Sequence, residues 1–130
     1  MKAALIVGLG SFIGGTVRYL ATVWVERKFE GAFPIGVLAV NALGSFLIGL
    51  ITAGFERMSA GAEPLMLLFL TAGIMGGFTT FSAFSLQTMR LLQSGNWGLA
   101  GINALSSVAC CLIAVFAGWR LGQIVFPSGV

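Results

Sequence analysis

G-I-M-G-G-F-T-T-F-S-A-F-S, residues Gly73–Ser85, is the stretch on which the architecture turns. It lies inside Leu65–Met89, an uncharged run long enough for the roughly 20 apolar residues that a membrane helix needs. A helix is the expected form, yet glycine in a helix interior costs about 1 kcal/mol relative to alanine. The β-branched pair Thr79 and Thr80 follows Gly76 and Gly77 after the single residue Phe78. Two readings stay open from the residues alone. One is a glycine-kinked helix packed tightly on a neighbour. The other is a true break, tolerated within a bilayer only where the freed backbone groups face protein, water or an ion. In a break, carbonyls can hold a cation, and N–H and hydroxyl groups can face an anion.

Three further stretches flank this one. Ala3–Val25 carries Arg18 as its only charge, Ile35–Phe55 carries none, and Leu99–Trp119 runs on apolar to Phe126. The expected organisation is one all-α membrane domain with spans at about 3–25, 35–55, 65–89 and 99–119, the third broken mid-membrane. The first run is longer than a signal-peptide core and no small-x-small cleavage site follows a short one, so a retained span is expected. Small residues four apart (Gly10 and Gly14, Ser45 and Gly49, Gly73 and Gly77, Gly118 and Gly122) suit close helix packing where lipid supplies no hydrophobic drive.

Composition excludes much. Of 130 residues, 58% are hydrophobic and 8% charged, against about 25% charged in soluble domains. His and Asp are absent, which removes the usual general bases, triads and zinc sites, so no enzyme is expected. The seven basic residues do not cluster, so no nucleic-acid partner is expected. Adjacent Cys110 and Cys111 read as two buried thiols. Lys2, Arg57 and Arg120 fall on one side of the membrane and Arg27, Lys28 and Arg90 on the other. Orientation follows an excess of Lys and Arg on one side. An even split is either chance in a small protein or a sign of dual topology, with copies inserted both ways as an antiparallel dimer.

Polar side chains at membrane depth point to function because they are expensive there. Phe81, Phe84 and Thr88 share one helical face with Gln87 beside them, Asn41 and Ser45 share another with Thr52 further along, and Asn103, Ser107 and Cys111 a third. Each stripe alone is explained by interhelical hydrogen bonds, worth about 0.6 kcal/mol on average. The three together point to a polar conduit. Arg18 is either an interfacial arginine that snorkels to one end or a charge drawing anions into an aqueous vestibule.

G-G-F-T-T-F-S-A-F-S (Gly76–Ser85), L-A-V-N-A-L-G-S-F (Leu38–Phe46) and G-G-T-V-R-Y (Gly14–Tyr19) resemble the CrcB/Fluc fluoride channels, in order and across essentially the whole chain. The resemblance implies a dual-topology antiparallel homodimer in the inner (plasma) membrane, passive fluoride export that relieves fluoride toxicity, and a structural sodium ion at the dimer centre. It implies sodium ligation by the backbone carbonyls of Gly76 and Thr79. It places Asn41, Phe81, Phe84, Ser107, Thr80 and Ser82 on the fluoride pore and Arg18 in the vestibule. The chain departs from the family pattern at Ala83, where Thr is usual, at Gln87 for Glu, and at Cys111 and Val115 for Ser and Thr. Gln87 brings hydrogen bonding without a titratable charge. Two alternatives of other classes are a small multidrug-type antiporter and a non-transporting assembly subunit. The first needs a membrane carboxylate, and all four glutamates lie at loops or helix ends.

Overall fold

The computed structural model describes residues 1–57 and 63–126; the connection at 58–62, expected as part of a polar loop, lies outside them. The described chain is helical, in four apolar rods each long enough to cross a membrane: Lys2–Lys28, Ile35–Arg57, Pro64–Gln93 and Trp97–Val125. The first two are α1 (Lys2–Lys28) and α2 (Ile35–Arg57). The third is composite. It starts as α3 (Pro64–Leu68), with proline in the first turn where a missing N–H costs nothing. It widens into a π-helical segment (Phe69–Met75), resumes as α4 (Gly76–Phe78), breaks at Thr79 and Thr80, and restarts as α5 (Phe81–Gln93). The fourth is α6 (Trp97–Val125). Each rod continues a few residues past the apolar stretch marked in the sequence, into charged or polar ends.

The turn from α5 to α6 takes three residues. Gly95 N–H donates to Leu92 O and Asn96 N–H to Leu91 O, both about the last turn of α5. This is a Schellman closure, and it needs a left-handed residue after the cap. Gly95, at φ 77°, supplies it.

Packing rests on backbone meeting backbone. A Cβ on Gly10 would sit 2.7 Å from Phe69 O and 2.8 Å from Gly73 Cα, and one on Gly14 would overlap Ile74 O. From the other side, a Cβ on Gly77 would lie 2.8 Å from Ser11 Cα. The glycine pairs of α1 and the third rod thus face one another. On the opposite flank α2 packs along α6, with Gly49 against Val115 and Trp119, Gly118 against Phe46 O, and Gly122 against Leu50 O. Fully buried side chains are correspondingly small or few, such as Ala53, Val40 and Ala100. Large apolar side chains, among them Phe12, Leu9, Leu105, Leu112 and Phe116, point outward. That surface would be a liability in water and is what lipid contact requires. The protein is a multi-pass membrane protein.

These contacts make a clear prediction. Gly118→Ala forces α6 off α2 and should cost about 1–3 kcal/mol, as overpacking does. Gly101→Ala meets open space and should leave stability unchanged or slightly raised. Thermal unfolding in detergent distinguishes the two; equal melting temperatures would refute the packing account.

Candidate functional site

The break lies halfway along the third rod. Thr79 (φ −92°, ψ 158°) and Thr80 (φ −153°, ψ 116°) are both extended, a conformation that suits β-branched residues. The α-helix is still closed one residue earlier, with Thr79 N–H donating to Met75 O at 3.0 Å. The next amide leaves the pattern. Thr80 N–H, which a continuous helix would give to Gly76 O, donates to Asn41 Oδ1 at 2.7 Å. Asn41 Nδ2 donates back to Thr80 O at 3.0 Å. Ala83 N–H, which would go to Thr79 O, donates to Thr80 Oγ1 at 3.2 Å, so Thr80 caps the N-terminus of α5. Thr80 Oγ1 also pairs with Ser82 Oγ at 3.1 Å.

Arg18 reaches the same place from α1. Its Nε donates to Gly77 O at 3.0 Å, putting a cation at the carbonyl end of α4. Ser11 Oγ donates to Gly73 O at 3.4 Å one turn before. The half-buried Arg18 is therefore bonded to the break itself, and its two terminal amino groups carry the donors left over.

Beside the break runs a groove of about 710 Å³, open on one side. Of the residues singled out in the sequence, it brings together Asn41, Ser45, Gly76, Thr79, Thr80, Phe81, Phe84, Ser107 and Cys111. The Phe81 and Phe84 rings lie 5.2 Å apart at 51°, at the start of α5. Phe81 is 77% exposed, whereas Ser107 is buried. The partial positive charge of the α5 N-terminus points into the same region. Ser82 is exposed beside Thr80.

Several stripe residues serve packing. Asn103, only 2% exposed, donates through Nδ2 to Thr88 Oγ1 at 2.9 Å, and Thr88 Oγ1 donates to Phe84 O at 2.9 Å. This chain ties α6 to α5 directly behind Phe84. Thr52 lines a separate, more apolar groove with Ile48, Val115 and Trp119. Gln87 has its Oε1 buried with no hydrogen-bond partner among the described residues. Cys110 is exposed, not buried, while Cys111 is partly so. Consecutive positions on α6 face different ways, and only one of the two thiols lies along the groove.

Residues 5–119 match the family model described as CrcB-like protein, Camphor Resistance (CrcB). The chain belongs to the CrcB family. It is 46% identical over 123 residues to a protein of Clostridium perfringens (strain 13 / Type A) named fluoride-specific ion channel FluC, covering 95% of both chains. Proteins of the same name from Rhizobium meliloti (strain 1021) and Elusimicrobium minutum (strain Pei191) are 47% and 41% identical, covering 93% and 96% of this chain. Within this CrcB chain the geometry adds residues that pattern reading left out. Thr71 and Met75 line the groove. Gly44 lets α2 approach the break, since a Cβ there would overlap Thr79 Cγ2 and lie 3.1 Å from Phe78 Cδ1. The signal for Gly44 was present: it follows Asn41 by three residues and so shares its face.

The Asn103–Thr88 bond supplies a prediction. Thr88→Val keeps the shape and removes the hydroxyl, leaving a buried amide donor unpaired at a cost of about 1–3 kcal/mol. Adding Asn103→Leu should recover most of the loss. Melting temperatures of both variants check this, and additive losses would refute the pairing.

Proposed function

We propose that this CrcB chain forms a passive fluoride-selective channel of the plasma membrane that lets fluoride leave the cytoplasm. The observation carrying this reading is the groove, in which two phenylalanines and several hydrogen-bond donors meet at a helix break. The name shared by relatives that match nearly its whole length supports it.

Fluoride is small and strongly hydrated, so a pore must replace its water with donors. Asn41 spends one N–H of its carboxamide on Thr80 O and retains the other. Ser107, Thr80 and Ser82 bring hydroxyls to the same region. The ring edges of Phe81 and Phe84 are electropositive and can add weak donors. A row of modest sites admits an ion without trapping it.

The same reading includes an antiparallel homodimer and a sodium ion at its centre. Phe81 is exposed and the groove, mostly apolar around a few hydrogen-bonding groups, is open on one side, where hydrocarbon would offer the carbonyls of Gly76 and Thr79 no donor. A second, inverted copy covers them, consistent with the even split of basic residues. The carbonyls of Gly76 and Thr79 fit a hard cation, because the amides that a helix would give them go to Asn41 and Thr80 side chains. When bound, sodium would supply positive charge beside the anion path. An antiporter reading lacks support, since Glu26 and Glu56 lie in the last turns of α1 and α2 and Glu30 and Glu63 outside the helices.

The test is fluoride-electrode efflux from proteoliposomes. Fluoride should leave rapidly and chloride hardly at all, and Phe81→Ile or Phe84→Ile should slow efflux by about tenfold or more, as expected for losing an interaction of about 1.4 kcal/mol. Efflux no faster than from protein-free liposomes would end this reading. Proton-driven uptake of organic cations would favour the antiporter.

A further inference from the structure

We infer that Asn41 is a positioning residue for the cation carbonyls: by capturing the Thr80 amide it keeps Gly76 O and Thr79 O from being closed by helix. The cation part of this inference rests on the sodium reading proposed above; the backbone part does not.

The hydrogen-bond order supports it step by step. Helical pairing is intact up to Thr79 N–H on Met75 O. Thr80 N–H is therefore the first amide free to choose, and the acceptor that continues the helix is Gly76 O. Asn41 Oδ1 takes it at 2.7 Å, and Asn41 Nδ2 satisfies Thr80 O at 3.0 Å. The side-chain amide thus pairs with both polar groups of Thr80 as a neighbouring strand would in an antiparallel ladder. A strand-like partner favours strand-like dihedrals, and Thr80 at φ −153° has them.

The effect reaches the second carbonyl through the cap. An N-cap residue must be non-helical for its side chain to reach the amide three residues on. Thr80 meets that condition because Asn41 holds it extended, and its Oγ1 then takes Ala83 N–H away from Thr79 O. One side chain on α2 therefore leaves two carbonyls on the third rod without their helical donors. Gly44 gives α2 the approach this requires, with only hydrogen at the point where a Cβ would overlap Thr79. Asn41 also borders the groove, so an anion-facing role and the positioning role use different hydrogens of one amide.

The experiment compares full-length wild type, Asn41→Leu and Asn41→Asp. One readout is the Thr80 backbone carbon shifts by solid-state NMR. The other is the sodium concentration giving half-maximal thermal stabilisation, with potassium replacing sodium. Asn41→Asp keeps an oxygen for Thr80 N–H and adds negative charge beside the carbonyls, so it should leave Thr80 extended with sodium half-saturation no higher than in wild type. Asn41→Leu should move the Thr80 shifts toward helical values and raise half-saturation by about tenfold or more, as expected for losing two hydrogen bonds. Asn41→Leu with Thr80 still extended and sodium response unchanged would overturn the inference. Wild type that melts identically in sodium and potassium would overturn the sodium site and the cation half of the inference, while the Thr80 shifts still decide the Asn41 half. If Asn41→Leu is not recovered folded, Asn41→Ser, too short to reach both atoms, takes its place with the same outcomes.

Discussion

A peptide group released from a helix inside hydrocarbon has no water to turn to, and each unsatisfied N–H or C=O there costs several kcal/mol. The Thr80 peptide is such a group, and the carboxamide of Asn41 answers both of its needs at once. Much else about the site follows from that pairing. α2 must lie close enough for a short side chain to span the gap, which fixes glycine at position 44. The third rod can then restart from Thr80 as α5, with a threonine cap and Phe81 and Phe84 in its first turn. Arg18 closes the other end of the interruption by donating to Gly77 O. Loss of the Asn41 pairing would remove the reason for Phe81 and Phe84 to stand where they do.

The glycine notches are the second condition. Lipid tails are as apolar as leucine, so helices in a membrane gain little from burying large side chains against one another. They gain from close contact, and here Gly10, Gly14, Gly73 and Gly77 bring two backbones together along α1. That approach lets Ser11 and Arg18, on the same helix, reach carbonyls of the widened π segment and α4. Widening turns the carbonyl pattern, as in the bond from Gly76 N–H to Thr71 O five residues back. Packing and polar satisfaction are one arrangement: without the glycines, the donors on α1 would stand too far off.

Much of this was legible in the sequence, for definite reasons. Four spans follow from hydropathy and length alone, and helix geometry makes the i, i+4 glycine and polar stripes readable as faces. The conflict in Gly76–Thr80 between apolar composition and poor helix propensity marked the break. What could not be read is partnership across elements. Asn41 and Ser107 read as members of polar stripes, but no spacing says that Asn41 pairs with a backbone 39 residues away. Nor does it say that Asn103 on the same stripe as Ser107 is bonded to Thr88 instead of facing the groove. Arg18 was legible as a lone charge; its bond to Gly77 O depends on an inter-helix distance set by glycines on both rods. The π turns at Phe69–Met75 carried no pattern that distinguishes them from α-helix.

Polarity is distributed unevenly around the four rods. A four-helix protein sufficient in itself would turn Asn41, Ser45, Thr79, Thr80 and Ser107 toward its own axis and seal them. Here Ser107 is buried, but Asn41, Ser45, Thr79 and Thr80 remain part-exposed along a groove that is open on one side, with an exposed phenylalanine at its edge. On the opposite flanks the outward surface is leucine, isoleucine and phenylalanine, as a lipid boundary demands. The threonine hydroxyls are bonded within the chain, Thr79 Oγ1 to Met75 O and Thr80 Oγ1 to Ser82 Oγ, but hydrocarbon here would offer the carbonyls of Gly76 and Thr79 no donor. A complement with its own donors and apolar rim would supply one. In the pairing proposed above, an inverted copy of the same groove would be that complement. On that proposal the break would lie near a two-chain centre, and the open side of the groove would face inward.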